Sequence, residues 1–109
     1  MLADDLAVAV YDVSKSFPRE EIHGITSRIS RAASSVAANI VEGASRESAK
    51  DYAHFLQIAR GSRAETQYFL HLAKRLGYLD DAQAGQVEAL AKEAFACLHG
   101  VILAVRKEA

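Results

Sequence analysis

The residues whose types could do chemistry fall into three groups. Glu20-x-x-His23 has the carboxylate–imidazole spacing that di-metal sites use inside helical bundles. Such a site needs a second copy, and Asp51-x-x-His54 is only a loose echo. No inward glutamate stands among the apolar stripes of the first and last helical segments, so neither a metal nor a cofactor is expected. Serines are plentiful, but none lies in a nucleophile elbow or a phosphate-binding loop. Cys97 is the one cysteine, which leaves no intrachain disulfide and no cysteine-based metal site. Its neighbours Phe95, Ala96 and Leu98 point to a packed thiol rather than a nucleophile. No catalytic residue emerges, and the expectation is a protein that is not an enzyme.

The remaining chemistry is charge. Between Arg28 and Arg75 stand eight basic residues and four acidic ones, although the whole chain has a formal net charge of −1. The rest of the chain is therefore acidic. Arg46, Lys50, Arg60 and Arg63 are the candidate contacts to a phosphate backbone. The bland reading of the same residues is the solvated surface of helices. A pI near 6.4 excludes the strongly basic global field of a dedicated nucleic-acid binder.

These residues must be positioned by helices. Across 109 residues there are one proline, six glycines and no tryptophan, with half the chain apolar. That composition is poor in the breakers of a sandwich or barrel and rich enough to bury one core. Leu6, Val10, Val13 and Phe17 recur at helical spacing in a first helix over 3–16, which Pro18 stops. A second helix is expected over 19–42, with Ile22, Ile25, Ile29, Ala32, Ala33, Val36 and Ile40 as its stripe, Gly24 as a weak point rather than an end, and Gly43 as the residue that closes it. A third over 47–76 carries Tyr52, Phe55, Leu56, Ala59, Ser62, Thr66, Phe69, Leu70, Ala73 and Leu76 and ends at Gly77. Asp80 caps a fourth over 81–107, striped by Val87, Leu90, Ala91, Ala94, Phe95, Leu98, Val101, Ile102 and Val105. Short connections make this a single all-α domain, an antiparallel up-down-up-down four-helix bundle. The acids in MLADDLAVAVYD stand where a signal peptide has bases, and no apolar run approaches the roughly 20 residues that span a bilayer. A cytoplasmic protein is expected.

The centre of the chain holds its unusual polar residues. With a reversal near 44–46, Arg28 lies level with Arg63 or Glu65, Arg31 with Arg60 or Gly61, and Asn39 with Tyr52. An Arg28 or Arg31 pair with Glu65 would be either a buried register lock or a wet surface contact. Asn39, a poor helix former, is expected to bond the neighbouring helix or loop backbone. Gly61 interrupts a strong helical pattern, and close contact with Ser30 or Ala33 on the second helix is the expected reason. Apolar residues off the main stripes, Tyr68 and Leu72 on the third helix and Ala37, Ala38 and Val41 on the second, exceed what one core needs and predict self-association.

The strings RISRAASSVAANIVEGASRES, FLQIARGSRAE and AKRLGYL resemble the four-helix-bundle family encoded by intervening sequences within bacterial 23S ribosomal RNA genes. Its pattern is approximately Q-I-x-R-A-A-x-S-I-x-x-N-I-A-E-G, then F-L-x-I-A-x-G-S-x-x-E, then a Leu-Gly-Tyr end, and the match spans nearly all of the chain. Arg28 replaces the usual glutamine and Val41 the usual alanine. The motif positions are Arg31, Ser35, Asn39, Glu42, Gly43, Gly61, Ser62 and Glu65, none with a catalytic role to carry over. The resemblance implies a ring-like homopentamer. It extends to the accessory variability protein of diversity-generating retroelements, which implies RNA or DNA, and a reverse transcriptase or other protein, as partners. The alternative is a protein-interaction scaffold that binds no nucleic acid.

Overall fold

The computed structural model describes residues 1–109 and contains four α-helices, with no strand. They are α1 (Leu2–Ser14), α2 (Ile25–Ala44), α3 (Ala49–Arg75) and α4 (Asp81–Glu108). At 1.5 Å per residue the 28-residue α4 is about 42 Å long. It therefore runs the full 44 Å of the longest axis of the molecule. The 13-residue α1 covers about half of that.

Each helix packs against two neighbours, α1 on α2 and α4, α3 on α2 and α4, and diagonal helices make no close approach. The contacts fix the directions. Ser62 on α3 hydrogen-bonds Ser35 on α2, and Gly43 at the end of α2 lies against Tyr52 and Phe55 at the start of α3. Ala3 shares a cluster with Leu98, Ile102 and Val105 near the end of α4, while Phe17 shares another with Leu79, just before α4 begins. Consecutive helices are antiparallel, as in an up-down-up-down bundle.

The apolar stripes form the core in two clusters. Leu6, Val10, Ile25, Ile29, Leu70, Val87 and Phe95 belong to the larger, and Val36, Leu56, Ala59, Leu98 and Ile102 to the smaller. Leu6, Ile29 and Leu56 are completely buried, each worth about 1.5–3 kcal/mol relative to exposure. Between the clusters α3 contributes Ser62 and Thr66, both buried. They make a polar waist between the two apolar clusters.

The helix ends follow from capping. Ser48 accepts from the Asp51 amide, and Asp80 and Gln83 form a reciprocal capping box at the start of α4. Gly77, with φ +76, takes the left-handed conformation that ends α3. Three expectations fail. The segment 19–42 is not one helix: Arg19–Glu21 is a single 3-10 turn, and Gly24 is an end, the N-cap of α2, with ψ −122. Gly43 does not close α2 but lies inside it, buried and helical. The missing Cβ there serves packing, since a Cβ would stand 2.8 Å from Tyr52 Cδ1 and 2.9 Å from Phe55 Cβ. Cys97 is exposed, because Phe95 and Leu98 turn inward and leave it on the outer face of α4.

Candidate nucleic-acid interface

The central polar residues divide between two seams of the bundle. The α2–α3 seam carries a chain of hydrogen bonds across the waist. Asn39 Nδ2 donates to Ser35 O (2.8 Å) and Ser35 Oγ (2.9 Å), Ser62 Oγ donates to Ser35 Oγ (2.8 Å), and Thr66 Oγ1 donates to Ser62 O (2.8 Å). Asn39 thus bonds its own helix and reaches α3 only through Ser35. Above the chain opens a cavity of about 270 Å³ lined by Arg28, Arg31, Ala32, Ser35, Ser62 and Glu65.

The arginine–glutamate lock does not form. The two ion pairs of the protein are Lys15–Asp12 and Arg46–Glu42, each within one turn of the chain. Arg28, Arg31 and Glu65 are exposed around their cavity without pairing. They stay unpaired although all three line the same cavity, and the register also differs from the expected one. Because α2 continues through Gly43 to Ala44, the reversal is Ser45–Ser48, and Tyr52 faces Gly43 rather than Asn39. That is one helical turn beyond the expected alignment. Gly61 likewise departs from expectation, being exposed with nothing within 4 Å of where a Cβ would be.

The four candidate phosphate contacts do not form one patch. Arg46 hydrogen-bonds Glu42 and places its guanidinium 4.7 Å from the centroid of the Phe55 ring, so its charge is already partnered. Lys50, in the first turn of α3, lies about 15 Å along the axis from Arg60. Arg60 and Arg63 are together on the other seam, between α3 and α4. There Arg63 stacks 5.0 Å from the centroid of Phe95. Two adjoining cavities, of about 590 and 150 Å³, share Arg63, Phe95 and His99 and make one groove. Lys92, His71 and Glu88 complete its rim. Lys92 escaped the sequence reading because it falls in the acidic part of the chain, and only the folding of α4 onto α3 brings it beside Arg63.

One more polar contact was not legible. Tyr78 OH donates to Glu21 Oε2 at 2.9 Å, and the ring packs 5.6 Å from Phe17, clasping the end of the bundle opposite the α2–α3 turn. The acceptor carboxylate holds the phenol above its ordinary value of 10.0, with desolvation adding to the effect. As for metals, no group of three or more His, Cys, Asp or Glu side chains comes together. Glu20 falls in the 3-10 turn and His23 in the connector that follows, so the two do not share the face of an α-helix.

This arrangement of helices and motif residues has relatives. Residues 1–100 match the family described as 23S rRNA-intervening sequence protein. The chain belongs to this family. A crystal structure of a protein of unknown function from the S23 ribosomal protein family of Bacteroides thetaiotaomicron is similar, with a TM-score of 0.84 and 26% identity over 93% of this chain and 94% of that one. No curated protein matches. Membership accounts for the motif positions around the waist, where Ser35, Asn39 and Ser62 are joined by hydrogen bonds and Gly43 admits α3. No helix of this family member is long and apolar enough to cross a membrane.

Proposed function

We propose that this protein is a non-enzymatic homo-oligomer that binds nucleic acid through a basic surface repeated by symmetry, in the cytoplasm. One observation carries the reading: Arg60, Arg63 and Lys92 line a single groove and none is paired with a carboxylate. Unpaired cations lose no protein contact when they meet phosphate, and the counterions released add to the affinity. A modest cluster of three becomes a strong one when copies are arrayed around an axis. Self-association is supported by exposed apolar side chains, among them Val41 (61%), Tyr68 (56%) and Ile58 (42%). The number five rests on family resemblance. A reverse transcriptase or other protein is a further partner on the same ground.

Those exposed apolar residues also favour a second reading, in which the oligomer is a protein scaffold without nucleic-acid binding. Native mass measurement and mobility-shift titration separate the two. The proposal expects a discrete oligomer that shifts RNA bearing unpaired segments at low salt and releases it steeply as salt rises. A monomer at working concentrations, or no shift of any RNA or DNA even at low salt, defeats it.

A further inference from the structure

We infer that the α3–α4 groove is a site for an unpaired nucleic-acid strand, with the Arg63–Phe95 stack as its platform for a base; this rests on the nucleic-acid reading above. The groove has the dimensions of a strand track. Arg60 and His71 mark its extent on α3, about 16 Å along the axis. It is open along its length and is a cleft between two packed helices, so what enters must be narrow.

The floor has a specific chemistry. Phe95 is nearly buried, and Arg63 lies over its face. Packing over the ring restricts the guanidinium before any ligand arrives, which lowers the conformational entropy that a free arginine would lose on binding. Arg63 itself is only half-buried and lines both cavities, so its plane is reachable from the groove. A guanidinium plane is a surface on which a nucleic-acid base stacks. Arg60 and Lys92 flank it as phosphate contacts, while Glu88 at one end is the single acid of the rim.

This combination selects an unpaired strand over a duplex. In a duplex the faces of the bases are occupied by their neighbours, and only phosphates and groove edges are offered. Arg60 and Lys92 could meet those phosphates, but the stack would be unused. A single strand offers phosphate to the rim and a base face to the platform, the pairing of positive groove and flat surface on which sequence-tolerant strand binding is built. An acidic peptide would use the cations alone.

Fluorescence anisotropy on a labelled oligouridine, and on the same strand annealed to oligoadenosine, tests this, with polyglutamate as competitor. The single strand is expected to bind more tightly than the duplex. Lys92→Ala should weaken it with folding intact, since Lys92 is exposed and unpaired. Arg63→Lys keeps the charge and removes the plane, and is expected to weaken strand binding by about 5-fold or more, the lower end of what one stacked base is worth. Arg106→Ala, outside the groove, should leave affinity unchanged. If the wild type binds the duplex equally well, or if Arg63→Lys and Lys92→Ala both bind as wild type, the groove assignment falls while the broader reading survives. If polyglutamate displaces the strand at equal charge concentration, the site is one for acidic peptide and the assignment falls. Failure of the wild type to bind either oligonucleotide at low salt removes both.

Discussion

Gly43 and Gly61 should respond in opposite directions to the same substitution. Both are helical, so alanine gains helix propensity at each, up to about 1 kcal/mol in a helix interior. At Gly61 nothing opposes the gain, since no atom outside the adjoining turns of its own helix backbone comes within 4 Å of the added methyl. Gly61→Ala is expected to stabilise by about 0.5–1 kcal/mol, which at 4–8 °C per kcal/mol raises Tm by about 2–8 °C. At Gly43 the methyl would lie 2.8 Å from Tyr52 Cδ1 and 2.9 Å from Phe55 Cβ. The tyrosine ring can rotate aside, but Phe55 Cβ is fixed to the α3 backbone and moves only with the helix. Overpacking of this kind costs about 1–3 kcal/mol. Gly43 is also one residue from the end of α2, where the propensity gain is smaller. The net expectation for Gly43→Ala is a loss of about 1–2 kcal/mol, or about 4–16 °C in Tm. Thermal melts by circular dichroism at one fixed protein concentration, with urea titrations alongside, measure both. If both variants rise together, α2 and α3 do not meet at Gly43 and the hairpin register is wrong.

The other predictions concern the polar contacts. Glu65→Ala should change stability by less than about 0.5 kcal/mol, because the carboxylate is exposed and unpaired, whereas Ser62→Ala should cost about 0.5–1.5 kcal/mol by removing the bond to Ser35. Urea unfolding compares the two, and a Glu65 effect exceeding that of Ser62 would restore the arginine–glutamate lock. Tyr78 should ionise above 10.0 because the neutral phenol is stabilised in the fold. Its contribution to stability is present below that value and lost as pH rises through the folded-state ionisation. Alkaline difference spectra of wild type against Tyr78→Phe report this, and Glu21→Gln should bring the ionisation down; no movement on that change would refute the cause.

What the sequence made legible was periodic or capped. The stripe of Leu56, Ala59, Leu70 and Ala73 and that of Val87, Ala91, Leu98 and Ile102 repeat through more than three turns, and both are buried as expected. Asp80 and Gly77 mark their helix ends by chemistry that needs no partner. The glycines were misread because the reason for a missing Cβ lies on another element. Gly43 looked like a terminator and is a contact; Gly61 looked like a contact and is bare. Gly24 looked like a tolerated weak point and is an end. With Gly43 read as the end of α2, the facing register slides by a turn, and the contact across the seam falls not to the charges of Arg28, Arg31 and Glu65 but to the hydroxyls of Ser35 and Ser62, with Thr66 bonding back along α3. In the candidate interface, Arg60 and Arg63 were visible as bases three apart on one helix. Lys92 was not, and Phe95 reads in the sequence as core alone, because only the tertiary pairing of α3 with α4 brings them beside Arg63.

The two ends of the bundle differ in what holds them, with a practical consequence for anyone who handles the molecule. Residue 109 emerges from α4 at the pole of the Ser45–Ser48 reversal, and the Tyr78–Glu21 clasp occupies the other. An affinity tag or fluorescent fusion on the C-terminus will crowd the first pole and leave the clasped one free.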